Sequence, residues 1–328
     1  MDALLANSRV REVIEKIVKE KHTELSVGIV YGGREYIFEY QKRSDGYYDI
    51  GSLSKILTSL IILKAARDGL IDTDASIDKY LVLKDKRYPT IKQLLKHNTG
   101  YTYVTPSGIT IPRLVHGYAR KNLYRGVKNG QVLRIIERMG YRSDRYGYSD
   151  FSYALLCLVI EQVYGRSYGD VLKGFVREEF GLEQINAANQ DVKRKDCYLC
   201  GRLIKNWVWE DGNPYIAAGG ICATIRDMTS LVRLLTDSGK GFVEDCFAIE
   251  ETDEKHNSTF FLSKNRHAYF HVGGVGTFRS SLSISKKQKI GVVIFANHAG
   301  CRKGNVSYLN KMIYNYLRRK KIELQPVT

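Results

Sequence analysis

Strand-type patterning is concentrated at the two ends of this 328-residue chain, and that separation constrains the fold more than any other feature. Residues 25–31, Leu-Ser-Val-Gly-Ile-Val-Tyr, read as a strand, Gly32-Gly33 as a two-residue turn, and residues 35–40 as its partner. Three further β-rich runs arrive only at 268–272, 277–285 and 289–296. A hairpin cannot bury its apolar face alone, so the two ends are expected to share one antiparallel sheet of about five strands. Residues 3–19 and 306–317 have helical apolar spacing and would cover that sheet. Between them, helical patterns recur at 90–97, 130–139, 151–164 and 168–180, with few strand signals. The expected class is α/β (α+β). An α/β sheet domain would comprise 1–72 and 215–328, a mainly helical inserted domain 73–214, and the site would lie at their seam.

The charge balance points elsewhere at first. With 51 Lys+Arg against 35 Asp+Glu the formal charge is +16, and a basic surface attracts phosphate whatever the fold. The basic residues are dispersed, however. Runs such as Lys193-Arg194-Lys195, Lys286-Lys287-Gln288-Lys289 and Arg318-Arg319-Lys320-Lys321 are short enough to be solvated faces, so no nucleic-acid partner is expected. No apolar stretch is long enough for a membrane span, and the N-terminus lacks an export signal, which favours a cytoplasmic location. Six cysteines, at 157, 197, 200, 222, 246 and 301, are few for a disulfide scaffold of this length. Cys197-Tyr198-Leu199-Cys200 is a lone C-x-x-C without a second ligand pair nearby, so unpaired thiols and no metal or other cofactor are expected.

Three motifs carry chemistry. Gly51-Ser52-Leu53-Ser54-Lys55 opens the apolar helix 52–67. Ser52 would sit where helix-terminal N–H groups favour developing negative charge, with Lys55 on the same face. A lysine in a partly apolar seam loses proton affinity by desolvation and can then accept the serine proton. The same residues also read as a capping serine and an exposed lysine. Tyr148-Ser149-Asp150 precedes the helix 151–164; Tyr148 near a lysine would relay a proton, and Ser149 or Asp150 would otherwise cap that helix. His271-Val272-Gly273-Gly274 ends a strand run, and its glycines would let a substrate lie along the strand edge.

Together these motifs resemble the penicillin-recognising serine enzymes, in particular the branch of class C β-lactamases, D-alanyl-D-alanine carboxypeptidases, D-aminopeptidases and esterases. The resemblance extends to Gly69-Leu70-Ile71-Asp72-Thr73-Asp74 after the first motif and to Leu94-Leu95-Lys96-His97-Asn98-Thr99-Gly100. It extends also to Ala217-Ala218-Gly219-Gly220-Ile221, and runs from about residue 20 to 318. It implies Ser52 as acylated nucleophile, Lys55 as its base and Tyr148 as proton relay. The N–H groups of Ser52 and Gly274 would form the oxyanion hole, with Asp150, His271, Gly273 and Gly274 contacting substrate.

Two departures shape the functional expectation. The family's Tyr-x-Asn is here Tyr148-Ser149-Asp150, and an ionised Asp accepts hydrogen bonds where Asn also donates. Asp150 would then favour a substrate bearing a donor, or pair with Lys55. His271 stands where class C lactamases have lysine, which resembles the carboxypeptidase, aminopeptidase and esterase members. The implied activity is hydrolysis of an amide or ester in a small molecule or peptide through an acyl-Ser52 intermediate. The alternatives are a penicillin-binding or sensor protein that acylates without turnover, and an acyltransferase; a true β-lactamase ranks below them. Tyr101, Tyr103, Trp207 and Trp209 would line a cleft or pack, and oligomeric state is not readable from the pattern.

Overall fold

The computed structural model describes residue 4 and residues 6–19, 21–101, 122–248, 263–264, 267–298 and 306–319. Helix α1 (Ser8–Val18) starts five residues later than its apolar spacing suggests, because the Asn7 side chain caps it by accepting from the N–H groups of Arg9 and Val10. Strands β1 (Leu25–Tyr31) and β2 (Arg34–Tyr40) form the expected hairpin. Gly32 and Gly33 both adopt positive φ, as a tight turn matched to strand twist requires. The short β3 (Tyr48–Asp49) leads to a 3₁₀ turn, Gly51–Leu53, and then to α2 (Ser54–Arg67).

The middle of the chain supplies α3 (Ile91–Leu95), α4 (Asn129–Met139), α5 (Asp150–Tyr164) and α6 (Tyr168–Phe180), close to the four expected helices. It also holds three strands that periodicity did not announce: β4 (Ile185–Ala187), β5 (Cys197–Leu199) and β6 (Arg202–Ile204). Three-residue strands are too short to show an alternation. After them come α7 (Ile216–Gly219), β7 (Ile221–Ala223), α8 (Ile225–Asp237) and α9 (Gly241–Phe247). The chain then forms β8 (Ser263–Lys264), β9 (Tyr269–Val275), β10 (Phe278–Ser285), β11 (Ile290–Ala296) and α10 (Val306–Arg319).

The main sheet is antiparallel in the order β2-β1-β11-β10-β9-β8. The five long strands come from both ends of the chain, as expected, and two-residue β8 adds a sixth at the edge. The β1–β11 register pairs Leu25 with Ala296 and Tyr31 with Ile290, so the first strand closes on the last. One sheet face packs under α1 and α10 through Val10, Ile14, Ile17, Leu309, Ile313 and Leu317. A larger apolar cluster continues from Val30, Phe278 and Phe295 through α2 into α5 and α6. α2 and α5 are buried almost all round, which is why both are apolar on every face.

Two sequence expectations need correction. In the run Lys193-Arg194-Lys195, Arg194 and Lys195 are not solvated. Lys195 Nζ lies 2.6 Å from Glu24 Oε2 with both side chains almost fully buried, and Arg194 Nη1 donates to Asp49 Oδ2 at 3.0 Å. Buried carboxylates need partners, and this run supplies two of them. Burial keeps the Asp49 carboxyl above its usual range despite the nearby Arg194 guanidinium. The second correction concerns sulfur: Cys157, Cys197, Cys222 and Cys246 are free thiols, but Cys200 is disulfide-bonded. Cys197-x-x-Cys200 is therefore not an internal disulfide, and the cysteines no longer favour a reducing compartment. Among the described residues no helix is long and apolar enough to cross a membrane.

Candidate active site

Ser52 sits in the 3₁₀ turn that feeds α2, rather than in the helix itself. Gly51 takes a φ of +55°, and a Cβ there would come within 2.6 Å of Gly274 N. Only glycine fits both the conformation and the contact. Three hydrogen bonds hold the turn. Ile50 N–H donates to Ile221 O (3.0 Å), Ser280 Oγ donates to Ile50 O (2.7 Å), and Ile221 N–H donates to Ser54 Oγ (3.1 Å). Ser52 itself stays half-buried at the N-terminal end of α2.

Lys55, one turn on, is completely buried. Its Nζ donates to Asp150 Oδ1 and to Ala218 O, both at 2.7 Å, and stands 3.5 Å from Ser52 Oγ. It also lies 4.9 Å from the centre of the Tyr148 ring and 5.4 Å from that of Tyr153. Burial alone would push the Lys55 ammonium down. The Asp150 carboxylate, and after it Tyr148, outweigh burial and hold it above the ordinary lysine value. The expectation that desolvation strips the proton therefore reverses in this state, because the buried lysine has an anion bonded to it.

Ser149 caps α5, its Oγ accepting from Ser152 N–H at 3.1 Å, which frees Asp150 from capping. Asp150 has both oxygens engaged, Oδ1 by Lys55 and Oδ2 by Tyr124 Oη at 2.6 Å. Burial works against its charge, but Lys55 and then the Tyr124 hydrogen bond keep it below the ordinary carboxylate range. Tyr148 is half-buried, between His97 (ring centres 4.6 Å) and His271 (6.2 Å). His97 Nδ1 accepts the Ser149 N–H at 3.1 Å, which fixes the start of α5. Burial, with Lys55 and His271 nearby, pushes His97 down to about 3, so it is neutral and able to accept.

His271 lies inside β9, not at its end, because the strand continues through Gly273-Gly274 to Val275. A Cβ on Gly273 would fall 2.4 Å from Ile50 O and 2.2 Å from Ser280 Oγ. The two glycines are thus where strand backbone and Ser52 turn touch, and Ser52 N and Gly274 N belong to facing backbones. His271 is turned inward and Val272 outward. Beyond Phe270, β9 pairs with no described strand on its outer side.

Lys55 is bonded to Asp150 beside Ser52, Tyr148 lies against Lys55, His271 neighbours Tyr148 and Gly273 abuts the Ser52 turn; of the expected residues, Ser52, Asp150 and Gly274 line a cleft. Its walls include Tyr124, Trp207, Trp209, Ala218, Gly219 and Val275. Trp207 and Trp209 both line it and pack, being nearly buried. Tyr101 is wholly buried with its hydroxyl on Gly140 O, and so belongs to the packing; Tyr103 lies outside the described residues. Sequence reasoning missed Tyr124 and the carbonyl of Ala218. Neither has a local signature, although Ala217-Ala218-Gly219 marks where a backbone comes close. His97 was visible in its motif, but not as the group that orients α5.

Comparison with known proteins bears on the fold and the family. The chain is 23% identical over 330 residues to Protein flp of Staphylococcus aureus (strain MW2), covering 92% of this chain and 63% of that protein. It thus spans less than two thirds of this relative's length. An octameric penicillin-binding protein homologue from Pyrococcus abyssi superposes with a TM-score of 0.72 at 19% identity, over 95% of this chain and 77% of the other. A class C β-lactamase from Rhodobacter sphaeroides gives the same TM-score at 18% identity, over 95% and 99%. These likenesses carry the fold. The model of the Beta-lactamase family matches residues 10–306, and the chain belongs to that family.

Proposed function

We propose that this protein is a serine hydrolase that cleaves an amide or ester bond through an acyl-Ser52 intermediate. The observation that carries this reading is the placement of Ser52 Oγ 3.5 Å from the wholly buried Lys55 Nζ. The family match and the likeness to a class C β-lactamase support the same class of reaction.

In this scheme Ser52 Oγ attacks the carbonyl carbon while its proton passes to an unprotonated Lys55 Nζ. The carbonyl oxygen takes up negative charge and is met by the Ser52 and Gly274 N–H groups on their facing backbones. Tyr148, against Lys55, delivers a proton to the departing amine or alcohol as the C–N or C–O bond breaks. Lys55 returns its proton to the Tyr148 phenolate; water then attacks the acyl carbon, its proton passing through Tyr148 and Lys55 to Ser52 Oγ as the C–Oγ bond breaks and the carboxylic acid leaves. The β9 edge beside Val272 offers extended backbone for a peptide-like substrate. Asp150 lines the cleft and His271 stands beside Tyr148, where the family's Asn and Lys would suit a β-lactam acylamide and carboxylate, so amides and esters other than β-lactams are the preferred substrates.

Intact mass after incubation with a fluorophosphonate and with penicillin tests the covalent step. A single adduct on the wild type that vanishes in Ser52→Ala is expected. No adduct, or an equal one on Ser52→Ala, rejects the reading. Turnover of p-nitrophenyl esters, D-amino acid p-nitroanilides and nitrocefin then separates hydrolysis from stalled acylation, and dependence on an added amine marks acyl transfer.

A further inference from the structure

The contacts of Lys55 pose a problem for acylation. An ammonium has three donors and no lone pair, and this one spends two donors on Asp150 Oδ1 and Ala218 O. In that state it cannot take the Ser52 proton. A neutral amine in the same place would keep both donors and turn its lone pair toward Ser52. The two partners therefore suit either form in direction, and the charge of Asp150 chooses the ammonium.

Asp150 is itself held in place. Tyr124 Oη donates to the oxygen that Lys55 does not use. Tyr124 stacks on the buried Tyr215 (ring centres 4.2 Å, 10° apart). Its carbonyl accepts from Asn213 Nδ2 at 2.6 Å, while Asn122 Nδ2 donates to Val208 O and Gly126 N–H to Glu210 Oε2. The segment around Tyr124 is thus bonded along its length to 208–215, and the phenol is presented to Asp150 from that bonded wall.

We infer that Asp150, clamped by Tyr124, locks Lys55 in its protonated form in the free protein, which makes Tyr124 and Asp150 positioning residues for the base. This rests on the acyl-Ser52 reading. The other groups facing Lys55 do not replace the lock. From the α3 side His97 is neutral, and from α5 and its approach Tyr153 and Tyr148 present phenols. β9 places His271 beside Tyr148, ring centres 6.2 Å apart, and α7 contributes the Ala218 carbonyl. Asp150 is the one carboxylate bonded to Lys55 among the described residues. Proton loss from the pair, by rising pH or by a substrate group that draws on the carboxylate, would free the lone pair for Ser52.

The test is the rate of Ser52 labelling by an uncharged fluorophosphonate against pH, in wild type, Asp150→Asn, Asp150→Ala and Tyr124→Phe. Asp150→Asn keeps an acceptor and removes the charge, so its rising limb should move to lower pH by at least about one unit, or ~10-fold faster labelling on that limb. Asp150→Ala should move the limb alike but lower the plateau, since the amine loses its orienting acceptor. Tyr124→Phe should move the limb the same way by less. A limb unmoved or moved upward in Asp150→Asn overturns the lock, and an unmoved limb in Tyr124→Phe removes Tyr124 from it. Independently of any reaction, ¹³Cε-lysine NMR, with the Lys55 signal identified by its absence in Lys55→Arg, should show Lys55 in wild type titrating above the surface lysines. Titration below them overturns the proposal even if the variants fail to fold. If no protein labels at Ser52, the acyl-enzyme reading falls and the NMR titration alone decides the lock.

Discussion

Among the described residues two lysines are buried against carboxylates, and they are built for different ends. Lys195 meets Glu24 at 2.6 Å where both side chains are almost wholly covered, and it reaches the Ser44 carbonyl as well. Lys55 meets Asp150 at 2.7 Å, but Asp150 is a quarter exposed and faces a cleft, and a serine hydroxyl stands on the far side of the amine. The first pair is enclosed: it ties the segment 193–195 to the start of β1 and has nothing to react with. The second leaves one side open to a ligand. A buried ion pair is therefore no sign of function by itself; the sign is a pair left partly open beside a nucleophile.

The sharpest break between the two should come from chemistry. Ser52→Ala and Lys55→Met are expected to abolish covalent labelling, read by intact mass, whereas Lys195→Met should keep it for as long as the protein is folded. In stability the order reverses. Removing Lys195 strands a buried carboxylate and should cost about 3–5 kcal/mol in urea unfolding, partly restored by adding Glu24→Gln. Lys55→Met should cost less, because Asp150 has access to water. A smaller effect is expected where the Ser52 turn meets β9. Gly273→Ala forces a Cβ against Ile50 O and should destabilise by roughly 1–3 kcal/mol while slowing Ser52 labelling, since strand and turn must part.

The last effect appears only below neutral pH and lies under the site. His97 is held neutral down to about 3, against 6.5 in the open chain. Below pH 6.5 the unfolded chain binds a proton that the folded protein refuses, so His97 makes stability fall as pH drops from 6.5 toward 3. His97→Asn should flatten that part of the urea midpoint against pH. An unchanged slope would mean that other groups carry the acid sensitivity.

Much of the fold was legible locally. The β1–β2 hairpin is written in alternation and Gly32-Gly33, α5 in a long apolar run and α6 in amphipathic spacing, because these elements draw on near-neighbour spacing. The strands β4 to β7 escaped notice since three residues carry no period. At the site, Ser52, Lys55, Tyr148 and His271 were visible as motifs, but the position of Gly273-Gly274 within β9 was not. Glycines usually weaken a strand, and only the facing Ser52 turn explains them. Lys193-Arg194-Lys195 misled for a related reason: charge density along the chain says nothing about whether carboxylates wait in the interior.

What residue order settled was the set of elements, the chemistry within reach of Ser52 and the family to which the chain belongs, since spacing and side-chain type are local properties. Tertiary structure decided which groups share a charge. Asp150 is 95 residues from Lys55, and Tyr124 reaches Asp150 only because its segment is bonded to 208–215. A lysine that desolvation should have stripped of its proton keeps it instead, because Coulomb interaction depends on distance in space and not along the chain.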